Sequence, residues 1–386
     1  MWFSSDPSRH FRPAFRSVVL AGILLLAAPL ISANEPVVLV RPHGDNVIYL
    51  GSETPWSSEK GALTERFEAA GMTFNITYED MGVGFTDPDT GAAVRDRLKD
   101  VLAYVAETIN YSGRTLDIQV TESEFDGGGA LASAGTFYPM TPGFHPGSTL
   151  RRLNTGLKPF IGFPEISITV DKGFAWNVGA GDPAPGTADF FSVLLHEMTH
   201  GLGFTSLVDA DGSSTISPNV YTVYDRFLTD GTDGSALFSS GPVPTFQANV
   251  SSLTSEDVWF GGPQARARYT VDAPIPVHAP NPYQPGSSIS HWDVNFLQSP
   301  SVMTHALQLG TAQREYAGVD LGTLIDLGYN RIVGAPATGI PGCAALKSGP
   351  APLRSAGGDV LFIVLSGLLT WYLGYLKPGG VIKSRL

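Results

Sequence analysis

The segment GTADFFSVLLHEMTHGLGF, residues 186–204, constrains this 386-residue chain more than any other. Its apolar run reads as a helix, with Thr187 as N-cap and Asp189 favouring the positive end of the dipole. Gly201 and Gly203 close it. On a helix, His196 and His200 share one face. Two imidazoles so placed can bind one zinc ion through nitrogen, and Glu197 beside them can take a proton from water on that ion. The apolar helical context and the strands expected before it favour this reading over a satisfied His pair on a core helix.

Upstream, Met72, Phe74, Ile76 and Tyr78 alternate as on a half-buried strand, and so do Leu116, Ile118 and Val120. Val94, Leu98, Val101, Leu102, Val105 and Ile109 recur at helical spacing. Residues 166–170 alternate again, and 173–177 read as a further short strand. The order of strand, helix, strands and long helix implies an α+β fold, helices packed on a twisted sheet. Residues 207–290 are rich in Gly, Ser, Thr and Pro and read as a long, loop-rich insertion. Residues 319–327 recover a helical pattern that Gly328 stops.

Both ends read as separate from this fold. Arg9, Arg12 and Arg16 precede an uncharged apolar run and the small residues Ser32 and Ala33, the order of a secretory signal peptide over 1–33. Residues 336–358 have the small, Pro- and Gly-rich composition of a linker, with Cys343 inside it. Residues 359–377 hold an uncharged apolar run, expected to be a transmembrane or sorting segment, and 378–386 form a basic tail. These features imply an exported protein of the cell envelope or surface, anchored by its C-terminal segment or secreted after processing. The unit between the ends divides into subdomains 34–206 and 207–335.

Composition removes several function classes. One cysteine excludes an intrachain disulfide scaffold and a Cys-rich zinc site. A formal net charge of −12 leaves no electrostatic footprint for nucleic acid. Asp209, Asp211 and Ser213 look like half of a calcium loop, but the downstream bidentate Glu is missing, so a polar turn is the better reading. Tyr221, Tyr224, Asp225 and Phe227 are expected to pack the insertion against the long helix, while His43 and His145 read as ordinary histidines.

A catalytic zinc usually has three protein ligands and an open position for water. Candidates for the third are His278, His291 and His305; a carboxylate such as Glu256 or Glu315 would define a different class of zinc site. The motif continues as HEMTHGLGF, which resembles the metzincin metalloproteases, except that Ser206 stands where their third His would fall. The chain is similar to the leishmanolysin-like branch, which carries a long insertion before that ligand. The segment SHWDVNFLQSPSVMTHALQ then supplies His291 as the displaced third ligand and Met303 as the Met-turn, and residues 320–330 resemble the closing helix. The resemblance implies a zinc-dependent endopeptidase acting on protein or peptide substrates, with Glu197 as general base and 173–177 as the edge strand that pairs with substrate. A metzincin-like surface protein that binds or adheres without catalysis is the alternative. The single cysteine departs from the cysteine-rich parasite members, and no cysteine precedes the helix to act as a latch.

Overall fold

The computed structural model describes residues 37–40, 47–49, 62–79, 84–123, 130–269, 274–295, 297 and 300–332. The expected leader, linker, apolar C-terminal segment and basic tail, with His43 and Cys343, lie outside these residues. Among the described residues, no helix is long and apolar enough to cross a membrane.

Strands β1 (Val37–Val40) and β2 (Val47–Tyr49) come first, followed by a hairpin of β3 (Leu63–Ala69) and β4 (Met72–Tyr78). Helix α1 (Gly91–Ile109) leads to β5 (Thr115–Ser123), parallel to β4. Then come β6 (Ala132–Pro139), β7 (Gly143–His145), α2 (Gly147–Thr155) and β8 (Ile166–Asp171). The main sheet has seven strands in the order β2-β1-β6-β8-β5-β4-β3. It is mixed and twisted: β4, β5 and β8 run parallel, and β6 runs against β8. The α+β expectation therefore holds. In β4 the buried residues are Met72, Phe74, Ile76 and Tyr78, as the two-residue period requires. Helix α1 buries Leu98, Val101, Leu102, Val105 and Ile109, and ends at Asn110, whose φ of 55° is a left-handed cap.

After a ribbon of β9 (Trp176–Asn177) and β10 (Ala188–Asp189), helix α3 (Phe190–Gly201) packs against β6, β8 and α1. Eleven of its twelve residues are buried, which explains why its sequence is apolar on every face. Gly201 permits the close approach to the sheet, since a Cβ there would stand 2.8 Å from Ile166 Cγ2. Two expectations need correction here. The helix is capped by Asp189, whose carboxylate accepts from Ser192 N at 3.0 Å, and not by Thr187, whose hydroxyl turns back to Ala184 O. Residues 173–177 do not form an edge of the main sheet, because Trp176 and Asn177 pair with the segment that leads into α3.

The insertion holds more order than its composition suggests. β11 (Val220–Thr222) pairs with β7, while β12 (Leu228–Asp230), β13 (Val258–Phe260) and β14 (Ile275–Pro276) make a three-stranded sheet. The short helix α4 (Pro263–Arg268) follows β13, and α5 (Gly318–Leu327) ends at Gly328 as expected. Tyr224 joins the insertion to the turn that follows α3. Its ring lies 4.9 Å from Phe204 and 4.9 Å from Phe260, and Trp292 stands 4.9 Å from Phe204. Asp225 is buried beneath and accepts from Leu207 N and Thr222 N.

Candidate metal centre

Three imidazoles meet at one point. The Nε2 atoms of His196, His200 and His291 are 3.0, 3.1 and 3.2 Å apart in the three pairings. Nitrogens about 2.0–2.1 Å from a tetrahedral centre stand about 3.3–3.4 Å apart, so this triangle is close to what one ion requires. The opposite nitrogens fix the tautomers. His196 Nδ1 donates to Val302 O at 2.7 Å, His200 Nδ1 to Phe204 O at 2.6 Å and His291 Nδ1 to Ser287 O at 2.7 Å. An imidazole that donates from Nδ1 to a carbonyl turns a lone pair outward at Nε2. Three lone pairs aimed at one centre repel each other, and a cation between them reverses the sign. The donor set is thus one that fits a metal ion of borderline softness.

Each carbonyl has a local cause. Gly203 has φ +96°, a left-handed value that a side chain would strain, and this turn brings Phe204 O back under His200. His291 lies on an extended segment bridged to Val277 on one side and Thr304 on the other, through Trp292. Val302 is set by the buried carboxylate of Asp320. Asp320 accepts from Val302 N at 3.1 Å, Ser301 Oγ at 2.5 Å, Trp292 Nε1 at 3.0 Å and Ala317 N at 3.0 Å. One residue at the start of α5 therefore anchors both the turn around Met303 and the residue after His291. Sequence reading placed Asp320 only in a closing helix. A carboxylate near a helix start reads as a capping residue, and its long-range donors are not visible in one dimension.

Glu197 sits beside the triad and is 3 % exposed. Burial pushes its carboxyl up to about 8, opposed by the Ala134 backbone N–H. Burial also pulls His196 down to about 4, which keeps it neutral and able to ligate. Both residues line a cleft that opens to solvent. Its walls are the start of β6 (Ala130, Leu131, Ala132) and the segment from Thr304 to Leu307.

The other third-ligand candidates do not join the triad, although His305 lines the same cleft. His278 and His305 stack on each other, centroids 3.7 Å apart, and Glu315 is exposed. His278 and Glu256 instead join Asp293 in a second group whose potential ligand atoms lie within 4.8 Å of one another. Burial and the adjoining Asp293 carboxyl push Glu256 up to about 7. Asp209 and Asp211 form a polar turn, with Asp211 Oδ1 accepting from Ser213 N at 2.8 Å. His145 is bonded to Thr141 O, in keeping with an ordinary role. Compared with known proteins, the chain matches no family model, no curated protein and no solved structure.

Proposed function

We propose that this chain is a zinc-dependent endopeptidase of metzincin-like design, similar to the leishmanolysin-like branch. The observation that supports it most is the convergence of three Nε2 atoms, each oriented by an Nδ1–H···O=C bond, with Glu197 alongside. His196, His200 and His291 would hold the ion. Bound there, zinc supplies a Lewis acid for the carbonyl and lowers the pKa of water toward neutrality. Glu197 takes the proton from the attacking water and returns it to the leaving amine.

Substrate would enter as an added strand. β1 pairs with β6 only over Thr136–Pro139, so among the described residues Ala132–Gly135 has a strand neighbour on the β8 side alone. Ala132, with Ala130 and Leu131 before it, lines the cleft beside Glu197, and this stretch replaces 173–177 as the edge for an extended peptide. With the leader and C-terminal segment read as above, the substrates would be extracellular or envelope proteins.

The decisive experiment is hydrolysis of casein by the purified protein before and after chelation. Activity should vanish with the metal and return with added zinc. Activity that survives complete chelation, or full activity in Glu197→Ala, would sink the proposal.

A further inference from the structure

Behind the third histidine of the first centre lies another group of ligand-type side chains. Glu256, His278 and Asp293 each offer an atom within 4.8 Å of the other two. Asp293 is fully buried and His278 is 6 % exposed. Glu256 Oε2, Asp293 Oδ2 and His278 Nδ1 are all buried and accept from no protein donor, and the Glu256 and Asp293 carboxyls lie within hydrogen-bond reach of each other. The other polar atoms of His278 and Asp293 are engaged. His278 Nε2 bonds Gln284 Oε1 at 3.3 Å, and Asp293 Oδ1 accepts from Asn295 N at 2.8 Å. With Nε2 donating, His278 Nδ1 carries a lone pair. Among the described residues, no Lys or Arg forms an ion pair with either carboxylate.

Two carboxylates pressed together away from water repel each other and lose hydration. A dication cancels both charges and fills all three unsatisfied valences. We infer that Glu256, His278 and Asp293 form a second metal site, which takes a divalent ion of the zinc type. One nitrogen and two carboxylate oxygens suit such an ion. Calcium would call for six to eight oxygens, and the imidazole argues against it. The site is structural in its placement. His278 N donates to His291 O at 2.9 Å, and Ile289 N donates to His278 O at 2.8 Å. The ring of His278 would hold the second ion while its backbone holds the strand that carries His291. Glu256 reaches the site from just before β13, with φ 59°, a backbone value rare outside glycine. The ion would therefore pin three separated segments of the insertion, a cross-link in a chain whose single cysteine rules out an internal disulfide. The rings of His305 and His278, stacked at 11°, hold the imidazole plane.

The inference does not depend on the first centre being catalytic. Its test is metal stoichiometry of the full chain, stripped by chelator, dialysed against buffered zinc and read by mass spectrometry. The wild type should take up two zinc ions per chain. Glu256→Gln, which keeps the side chain's shape, should take up one. His196→Ala with His200→Ala should also take up one, and added zinc should raise its melting temperature. Two ions in Glu256→Gln or none in the double His variant overturns the inference, whereas one ion in the wild type that survives in the double His variant overturns the first centre. If Glu256→Gln does not fold, the double His variant decides the question alone. Two ions retained in that variant would instead overturn the first centre.

Discussion

Glu197 occupies a site that penalises its charge until a cation lies beside it. A group pushed up to about 8 by burial is a poor base when ionised carboxylate is scarce, and an adjoining dication favours the ionised form. Glu197→Gln keeps the volume and removes the proton acceptor. It should lower kcat by about 10²–10⁴-fold, the usual worth of a positioned general base, with bound zinc unchanged. Stopped assays on a quenched peptide, with metal analysis of the same samples, check both halves; equal kcat would remove Glu197 from the chemistry. His291 answers to a different readout. His291→Ala deletes an imidazole that is wholly buried against His196 and His200. Zinc affinity at the first centre should fall by more than the roughly 10–100-fold typical of removing a residue that merely orients a ligand. A competition titration with a chromophoric chelator measures it, and unchanged affinity would point to a different third ligand.

Helix α3 depends on how its first turn is held. Asp189 caps it through Ser192 N and also meets Arg314, whose Nε lies 2.9 Å from Asp189 Oδ2 and whose Nη2 lies 2.5 Å from Oδ1. The carboxylate is fully buried, while Arg314 keeps 22 % of its side chain exposed. Removing a cap alone costs about 1 kcal/mol, and leaving the part-buried guanidinium with only the carbonyls of Ala180 and Gly181 adds to it. Asp189→Ala should therefore lose at least about 2 kcal/mol of stability, with Asp189→Asn between it and the wild type. Chemical denaturation measures this; a loss below that of a simple cap would show that Arg314 contributes nothing. The same helix shows how far one sequence can be read. The period-2 runs of β4, β5 and β8 and the apolar face of α1 were legible because each element satisfies its own burial pattern. The pairing of His196 with His200 was legible because i and i+4 share a face whatever the tertiary fold. β6 was not, since all eight of its residues are buried and no alternation survives. β11, β12 and β13 have three residues each, too few to display a period. Thr187 read as the cap and Asp189 only as a dipole partner, because the contact that holds the Asp189 carboxylate comes from Arg314, 125 residues away.

At the scale of the molecule, Glu165 joins the layers. It is 1 % exposed and precedes β8. Its carbonyl accepts from Thr136 of β6 and from Ser148 and Thr149 of α2, while Oε2 accepts from Asp117 N of β5. Burial pushes its carboxyl up to about 7 from an ordinary 4.5, against the pull of Lys158 and of the Asp117 N–H. Lys158 offsets little of this, because it sits directly on Asp117 and only 3.6 Å from Glu165. The sign of the pH effect follows from proton counting. Between about pH 4.5 and 7 the unfolded chain has released this proton and the folded chain still holds it, so stability falls as pH rises. The contribution is fully present below 4.5 and lost once the pH passes 7. Glu165→Gln keeps the contacts in a group that does not titrate, so the melting temperature of the wild type should drop relative to the variant across that window and run parallel outside it. Comparing the two chains at each pH also removes the effect of protonating His196, His200 and His291, since both share those residues. Curves that stay parallel from pH 4 to 8 would show that Glu165 is ionised in the fold and paired with Lys158. The junction between β5, β6 and α2 would then be a salt bridge rather than a buried acid.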